Sequence, residues 1–189
     1  MGLDISFDSK KHEYRLNGER VPSVTQILKA GGWIDDRFFT EEGRRRGEFI
    51  HQATALLDRK LLDWTKLPEE LRGYVESYEK ARDALKLRIR RIEYIVHRGR
   101  LWFGKEDREA TWERQLTVVD LKSGAPAEPY DKLQLAGYGA THAKMPRLLL
   151  LYLKADGSMA KSVELFGERT EYYLAWYKIV SLYHWRNSK

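Results

Sequence analysis

Four consecutive leucines, at positions 148–151, are the feature that most constrains how this 189-residue chain can fold. They lie within residues 147–154, a segment typical of a buried β-strand rather than of a half-exposed one. Earlier in the chain, β-branched and aromatic residues predict three more strands, at residues 89–96, 101–111 and 116–121. Three strands in succession indicate a meander that comes before the buried strand.

Helical patterns surround these strands. Acidic residues in the first turn favour a helix over residues 40–62, and a proline at a first-turn position favours another over residues 68–87. We also predict helices at residues 130–143 and 168–187, with an edge strand at residues 160–166. The order of these elements indicates an α/β fold with a central mixed sheet flanked by helices.

The N-terminal region has a different pattern. Residues 4–16 alternate loosely between polar and apolar, and Asn17-Gly18 is a strong signal for a hairpin turn. A short helix is predicted to follow. We therefore expect a hairpin-and-helix extension over residues 1–38, joined to a core over residues 39–189 in a single domain.

Composition excludes several chemistries. The chain has no cysteine, which rules out disulfides, thiol nucleophiles, thiolate zinc sites and cysteine-ligated iron–sulfur clusters. Its net charge of +6 favours a polyanionic partner, and nucleic acid is the usual one. No apolar run approaches the length of a membrane span. We therefore expect no membrane association and a cytoplasmic location.

Charged residues cluster where two predicted strands end. Asp120 and Lys122 share one face of their strand, where they can hold a hard cation and position a water molecule beside it. A salt-bridged strand end is the alternative. Asp107 falls on the preceding strand, and carboxylates on adjacent strands can share one divalent metal. Because Glu106 and Glu109 make that segment acidic, a polar strand face also explains it.

Two predicted helices carry further candidates. Gln134 and Tyr138 are four residues apart on one helical face, so either they support the strand ends or Gln134 is an ordinary boundary residue. His51 shares a face with Gly47, which allows close approach of a neighbouring segment. A lone helical histidine is often structural. Beside two carboxylates, His51 would be a third metal ligand and would favour Mn²⁺ alongside Mg²⁺.

The order of these motifs resembles the PD-(D/E)XK nuclease superfamily, and in particular its RecB-type exonuclease branch. That branch includes RecB nuclease domains, CRISPR-adaptation nucleases and small phage-encoded exonucleases. The lead-in His12-Glu13-Tyr14, followed by residues 21–28, is also similar to the phage members. The motifs that carry the resemblance are Arg46-Gly47-x-x-x-His51, Gly104-x-x-Asp107, Asp120-x-Lys122-Ser123-Gly124 and Gln134-x-x-x-Tyr138.

The resemblance implies a restriction-endonuclease-like core and a Mg²⁺ or Mn²⁺ site. Asp107 and Asp120 would be the metal carboxylates, and His51 and the main-chain carbonyl of Leu121 would be further ligands. The family's Pro-Asp pair is represented here only by the aspartate, so Glu106 is an alternative ligand if the register slips.

The resemblance also implies roles for the neighbouring polar residues. Lys122 would orient or deprotonate the attacking water and stabilise charge. Gln134 would hold the lysine or the substrate phosphate, and Tyr138 would support it. Glu93 would match a glutamate that some members carry on an earlier strand, although a solvated strand glutamate is the alternative.

The expected activity is metal-dependent hydrolysis of DNA that leaves a 5′-phosphate, with exonuclease action in recombination or DNA end processing as the first choice. A structure-specific or restriction-like endonuclease of the same fold is one alternative. A non-catalytic DNA-binding or partner-binding protein is the other. Because the chain lacks a nucleotide-binding P-loop, any helicase or recombination partner would be a separate protein. The setting would be a bacterial or phage-infected cell, and an oligomer is compatible with the sequence.

Arginines form two clusters that would contact the phosphate backbone beside such a site. Solvated surface is the alternative for each cluster. The residues are Arg44, Arg45, Arg46, Arg88, Arg90, Arg91, Arg98 and Arg100.

Overall fold

The computed structural model describes residues 3–8, 11, 13–34 and 40–188, so His12 of the lead-in lies outside the described residues. The helices are α1 (Val24–Ala30), α2 (Glu41–Asp58), α3 (Glu69–Ala84), α4 (Tyr130–Gly139) and α5 (Arg169–Asn187). The strands are β1 (Ile5–Asp8), β2 (Glu13–Leu16), β3 (Glu19–Val21), β4 (Arg88–His97), β5 (Phe103–Trp112), β6 (Gln115–Lys122), β7 (Arg147–Tyr152) and β8 (Lys161–Glu164).

A five-stranded mixed sheet forms the centre of the fold, with strand order β4-β5-β6-β7-β8. The first three strands form the predicted antiparallel meander. β6 and β7 are parallel and are connected through α4, and β8 is antiparallel to β7. The prediction of an α/β protein with a mixed sheet flanked by helices is confirmed.

The leucine-rich strand β7 is buried on both faces, as its sequence predicts. Leu149 and Leu151 belong to the apolar cluster that includes α2 and α3 residues, whereas Leu148 and Leu150 belong to the cluster that includes residues of α1, α4 and α5. Because successive side chains of a strand point to opposite faces, one run of leucines serves both layers. Helices therefore cover both faces of the sheet.

The N-terminal region forms a small antiparallel sheet of its own, with strand order β1-β2-β3. The predicted Asn17-Gly18 turn joins β2 to β3, and both of its residues have positive φ, 52° and 80°. The alternating run before this turn divides into β1 and β2, which pair with each other. Tyr14 of β2 stacks on Phe103 of β5 with ring centroids 5.3 Å apart, so this sheet is attached to the central one.

Some predicted elements are longer than the observed ones. β5 begins only at Phe103, because Leu101 belongs to a turn in which its N–H donates to the Arg98 carbonyl. α4 ends at Gly139, after which the Thr141 hydroxyl donates to the Tyr138 carbonyl at 2.8 Å. Among the described helices, none is long and apolar enough to cross a membrane.

Gly73 gives a test of how tightly α3 is packed. A Cβ at this position would lie 1.7 Å from the Ala155 carbonyl oxygen. Alanine is a better helix former than glycine, yet we expect Gly73→Ala to lower the free energy of unfolding by about 1–3 kcal/mol, because backbone blocks the added methyl group. Urea denaturation measures this change. Gly167→Ala is the control, because no atom lies within 4 Å of its Cβ position; equal stability of the two variants would contradict the close contact.

Candidate metal centre

Three side chains of metal-ligating type meet between α2 and the central sheet. His51 comes from α2, Glu93 from β4 and Asp107 from β5. His51 Nδ1 lies 3.2 Å from Asp107 Oδ1 and 3.4 Å from Glu93 Oε1. One ligand atom from each residue lies within 4.8 Å of the others. Within the described part of the chain, we call these three residues the metal group.

Asp107 is held from two sides. While Oδ1 faces His51, Oδ2 accepts a hydrogen bond of 2.8 Å from the backbone N–H of Leu121. The predicted alternative, Glu106, lies elsewhere. Its carboxylate contacts His142 at 2.8 Å and accepts a hydrogen bond of 2.6 Å from Tyr94. The structure therefore brings Asp107, and not Glu106, to His51.

An irregular stretch of β4 and β5 shapes this arrangement. In a regular strand, neighbouring side chains point to opposite faces. Asp107 and its neighbour Arg108 nevertheless both contact α2, through His51 and Asp58 respectively. Glu93, on the adjoining strand, has φ of 53°, a left-handed conformation that costs energy for a residue with a side chain. Such strain is typical of functional sites.

Asp120, Lys122 and Gln134 form a second polar group beside the first. Lys122 Nζ lies 2.8 Å from Asp120 Oδ2 and donates a hydrogen bond to Gln134 Oε1. Asp120 Oδ2 is buried, and the Lys122 ammonium group is its charged partner. Asp120 and Lys122 therefore form a buried ion pair, and the Asp107 carboxylate is close enough to act on the pKa of Asp120.

Tyr138 packs beside these residues because a glycine makes room for it. A Cβ on Gly104 would lie 2.6 Å from the Tyr138 ring, so this first residue of the Gly104-x-x-Asp107 motif permits the close approach. Tyr138 and Gln134 line one cavity of about 900 Å³ together with His51 and Asp107. Burial raises the pKa of the Tyr138 hydroxyl well above its usual value, as does the nearby Asp120 carboxylate.

Without a metal, His51 and Asp107 of the metal group carry opposite charges. Burial lowers the pKa of His51, but Asp107 and Glu93 more than offset this effect and raise it to about 10. Burial raises the pKa of Asp107, but His51 and the Leu121 N–H lower it overall to about 2. The pKa of Asp120 is raised to about 7 by burial and by the Asp107 carboxylate, against the opposing effect of Lys122. Without metal, His51 is therefore the cation of this group.

These pKa values predict that metal binding releases protons. A metal ligand must be neutral imidazole, so an incoming cation displaces the proton of His51. Because the pKa of His51 is raised to about 10, Mn²⁺ affinity should increase as the pH rises toward that value, by up to about tenfold per pH unit. Below about pH 7, Asp120 would release a further proton if it contacts the cation.

Calorimetry in buffers with different ionisation enthalpies measures this release. We expect about one proton per Mn²⁺ ion near pH 8 and more near pH 6. A binding enthalpy that does not depend on the buffer would contradict the role of His51. In His51→Gln, which cannot carry the proton, the release near pH 8 should disappear.

The predicted arginines divide into two sets. Arg44 and Arg46 line a cavity of about 750 Å³ with His51, Lys122 and Gln134. Arg45 lines a separate groove between α2 and α3. The arginines of β4 and the following turn lie outside the walls of these cavities. Arg90 lies 3.6 Å from Glu109, and Arg91 lies over the Tyr94 ring. Arg100 pairs with Glu19 at 2.8 Å, and Arg88 and Arg98 are exposed.

Sequence reasoning missed two basic residues at the metal group. Lys105 forms an ion pair with Glu93, and Arg108 hydrogen bonds to the Asp107 carbonyl at 2.7 Å. Lys105 precedes Asp107 by two positions, so strand alternation could have placed it on the same face. No local pattern places Arg108 there.

The fold and the site together define an α/β protein with a histidine–carboxylate group suited to a divalent cation. No protein-family model matches the sequence, and no curated protein matches it either. Any assignment of activity therefore rests on the residues of the site.

Proposed function

We propose that the chain is a divalent-metal-dependent deoxyribonuclease of the PD-(D/E)XK superfamily, with a restriction-endonuclease-like core and a RecB-type site. The observation that carries the proposal is the pairing of two groups in one place. His51, Glu93 and Asp107 form the metal group, and Lys122 with Gln134 lies next to it. A purely structural ion pair has no need of both groups.

The donor set fits Mg²⁺ or Mn²⁺. Carboxylate oxygens suit both cations, and the imidazole of His51 favours Mn²⁺. Asp107 and His51 would hold the cation together with Glu93, and the Asp120 carboxylate, which pairs with Lys122, would lie beside it. A bound cation would supply charge to bind the scissile phosphate and to steady the leaving 3′-oxygen.

Lys122 and Gln134 would act on the substrate. Burial lowers the pKa of Lys122, but Asp120 more than offsets it, and the net direction is upward. The ammonium group therefore stays protonated at neutral pH and acts as a positive charge rather than as a base. Gln134 holds Lys122 through its Oε1 atom, so the lysine is oriented before the phosphate arrives.

An endonuclease of the same fold is the second candidate, and the shape of the cleft favours it. Cavities of about 900 and 750 Å³ both include Arg44, His51 and Gln134 in their walls. A DNA strand that occupied both cavities would pass these residues and would need no free end. Exonuclease action in recombination or end processing, with any helicase on a separate protein, remains the first choice by resemblance.

Cleavage of end-labelled linear DNA and of matched circles, single- and double-stranded, tests the proposal. The reactions contain Mn²⁺, Mg²⁺ or EDTA. Degradation of linear DNA alone, abolished by EDTA, would support the exonuclease, and cutting of circles would support the endonuclease. If a folded protein binds DNA but cleaves none of these substrates with either metal, the nuclease proposal is wrong and a DNA-binding role replaces it.

Arg44 should contribute to DNA binding, because it lines both cavities at the site. We expect Arg44→Ala to weaken binding of a single-stranded oligonucleotide in EDTA. The slope of log K against log salt should become shallower by about 0.7, the value for one lost phosphate contact. Fluorescence anisotropy over a salt series measures both effects. Arg100→Ala is the matched control, since Arg100 already pairs with Glu19; an equal loss in both variants would contradict the assignment.

A further inference from the structure

A buried arginine next to the metal group, Arg108 of β5, forms hydrogen bonds with residues of α2, β4 and β5. The Arg108 side chain is fully buried on β5, with a relative exposure of 0%. Its Nε donates to Asp58 Oδ2 at 2.6 Å, and its Nη2 donates to Thr54 Oγ1 at 3.0 Å. Both acceptors belong to α2. Asp58 is also bound by two residues of α3: Tyr78 donates to Oδ2 at 2.7 Å and Arg82 Nη1 donates to Oδ1 at 3.1 Å.

The same guanidinium group reaches the metal group. Arg108 Nη1 donates to the Asp107 carbonyl at 2.7 Å and lies 3.5 Å from Glu93 Oε1. That glutamate oxygen is the one that faces His51. Thr54, which accepts from Arg108, shares its hydroxyl proton between the Ile50 and His51 carbonyls, at 2.9 and 3.0 Å. One side chain thus touches Asp107 and Glu93 directly and His51 through Thr54.

Stability alone does not explain this arrangement. Taking an arginine and an aspartate out of water is costly, and apolar residues of similar size often stabilise a fold as well as a buried ion pair does. A planar guanidinium with several fixed donors instead specifies geometry, because it holds several acceptors in one orientation.

We infer that Arg108 is a positioning residue that fixes α2 against β4 and β5, so that His51, Glu93 and Asp107 face one another. The inference rests on the proposed metal-dependent function. It assigns Arg108 to the preorganisation of the ligands and gives it no contact with the cation. Residues that orient metal ligands typically contribute about 10- to 100-fold to metal affinity.

The test compares Mn²⁺ affinity and stability in four variants. Arg108→Met removes the donors, and the double variant Arg108→Met, Asp58→Asn also removes the buried negative charge that the first would leave with Arg82 as its remaining cation. Arg108→Lys keeps the charge without the planar set of donors. Arg82→Met is the matched control: Arg82 Nη1 also binds Asp58, at 3.1 Å, and its other ion pairs among the described residues are with Glu79 and Asp83, outside the metal group.

We expect the double variant to remain folded and to bind Mn²⁺ about 10- to 100-fold more weakly than the wild type, as measured by calorimetry. Arg108→Lys should recover only part of the affinity. Arg82→Met should lower the melting temperature but leave the Mn²⁺ affinity unchanged, which separates positioning from stability. If the single variant does not fold, the double and lysine variants carry the comparison.

Two results would overturn the inference, and only one of them would also overturn the proposed function. Wild-type Mn²⁺ affinity in the folded Arg108 variants, alongside an active wild-type nuclease, would remove the positioning role but keep the proposed function. A wild-type protein that binds no Mn²⁺ would remove both.

Discussion

Replacing Lys122 with alanine should reduce the rate of DNA cleavage by about 10²- to 10⁴-fold while leaving the protein folded. Lys122 is partly exposed at the cleft, 2.8 Å from Asp120 and bonded to Gln134. Its positive charge is therefore available where negative charge develops on the phosphate. Single-turnover cleavage of a labelled oligonucleotide in Mn²⁺ measures the effect.

The Mn²⁺ affinity of Lys122→Ala shows whether the variant has lost only the lysine charge or the whole metal site. Lys122 lowers the pKa of Asp120, so the variant should have an even higher Asp120 pKa than the wild type. The Mn²⁺ affinities of the variant and the wild type are therefore compared near pH 9, which is above the wild-type Asp120 pKa of about 7, so that this carboxylate is more fully ionised. We expect the two affinities to differ by less than about tenfold. Lys132→Ala is the control, because Lys132 of α4 pairs with Glu128 and Glu168 and not with Asp120. Cleavage by Lys122→Ala at the rate of this control would exclude the lysine from the chemistry.

The central sheet was predictable because its signals are local. Alternation, β-branched residues and the leucine run mark β4 to β7 without any knowledge of what packs on them. The division of the first alternating run into β1 and β2 was not predictable. The sequence between Asp8 and Glu13 contains no Gly, Pro or Asn to signal a turn, and the two strands are defined by pairing with each other.

The site was predictable in its residue types but not in its geometry. Sequence order alone left Asp107 and Glu106 as alternatives, because either could face the helix that carries His51. The choice depends on the strand irregularity that turns both Asp107 and Arg108 toward α2, and on the left-handed conformation of Glu93. Both are tertiary features, since a non-glycine residue keeps a positive φ only where its surroundings enforce it.

Surface charge was the least predictable feature. The arginines of β4 look like a nucleic-acid contact in sequence, yet Arg90 lies near Glu109, and Arg100, just beyond β4, pairs with Glu19 from the N-terminal sheet. A charge run shows only that cations are present. Which of them remain available to phosphate depends on acidic side chains that the fold brings from elsewhere in the chain.

Asp107→Asn should weaken Mn²⁺ binding by at least about 100-fold, because the substitution removes the ligand that joins the cation site to both His51 and β6. Asparagine is close in shape, and its Oδ1 can still accept the hydrogen bond that Leu121 donates to Asp107 Oδ2 at 2.8 Å. A loss of affinity in a folded variant therefore reports the loss of the ligand oxygen and its charge, and not the loss of the contact with β6. Calorimetry, together with the thermal shift on adding Mn²⁺, measures it, since a ligand that binds the native state raises the melting temperature.

Glu106→Gln is the control, because Glu106 is the alternative ligand that the sequence predicted. Glu106 is the immediate neighbour of Asp107 and is more deeply buried, but its carboxylate contacts His142 and Tyr94 away from the metal group. Its substitution should lower stability, because the His142 contact loses its charge, while Mn²⁺ affinity stays within about twofold of the wild type. The reverse pattern, in which Glu106→Gln loses the metal and Asp107→Asn keeps it, would show that Glu106 is the ligand. It would also mean that the strand irregularity beside Glu93 does not direct the site.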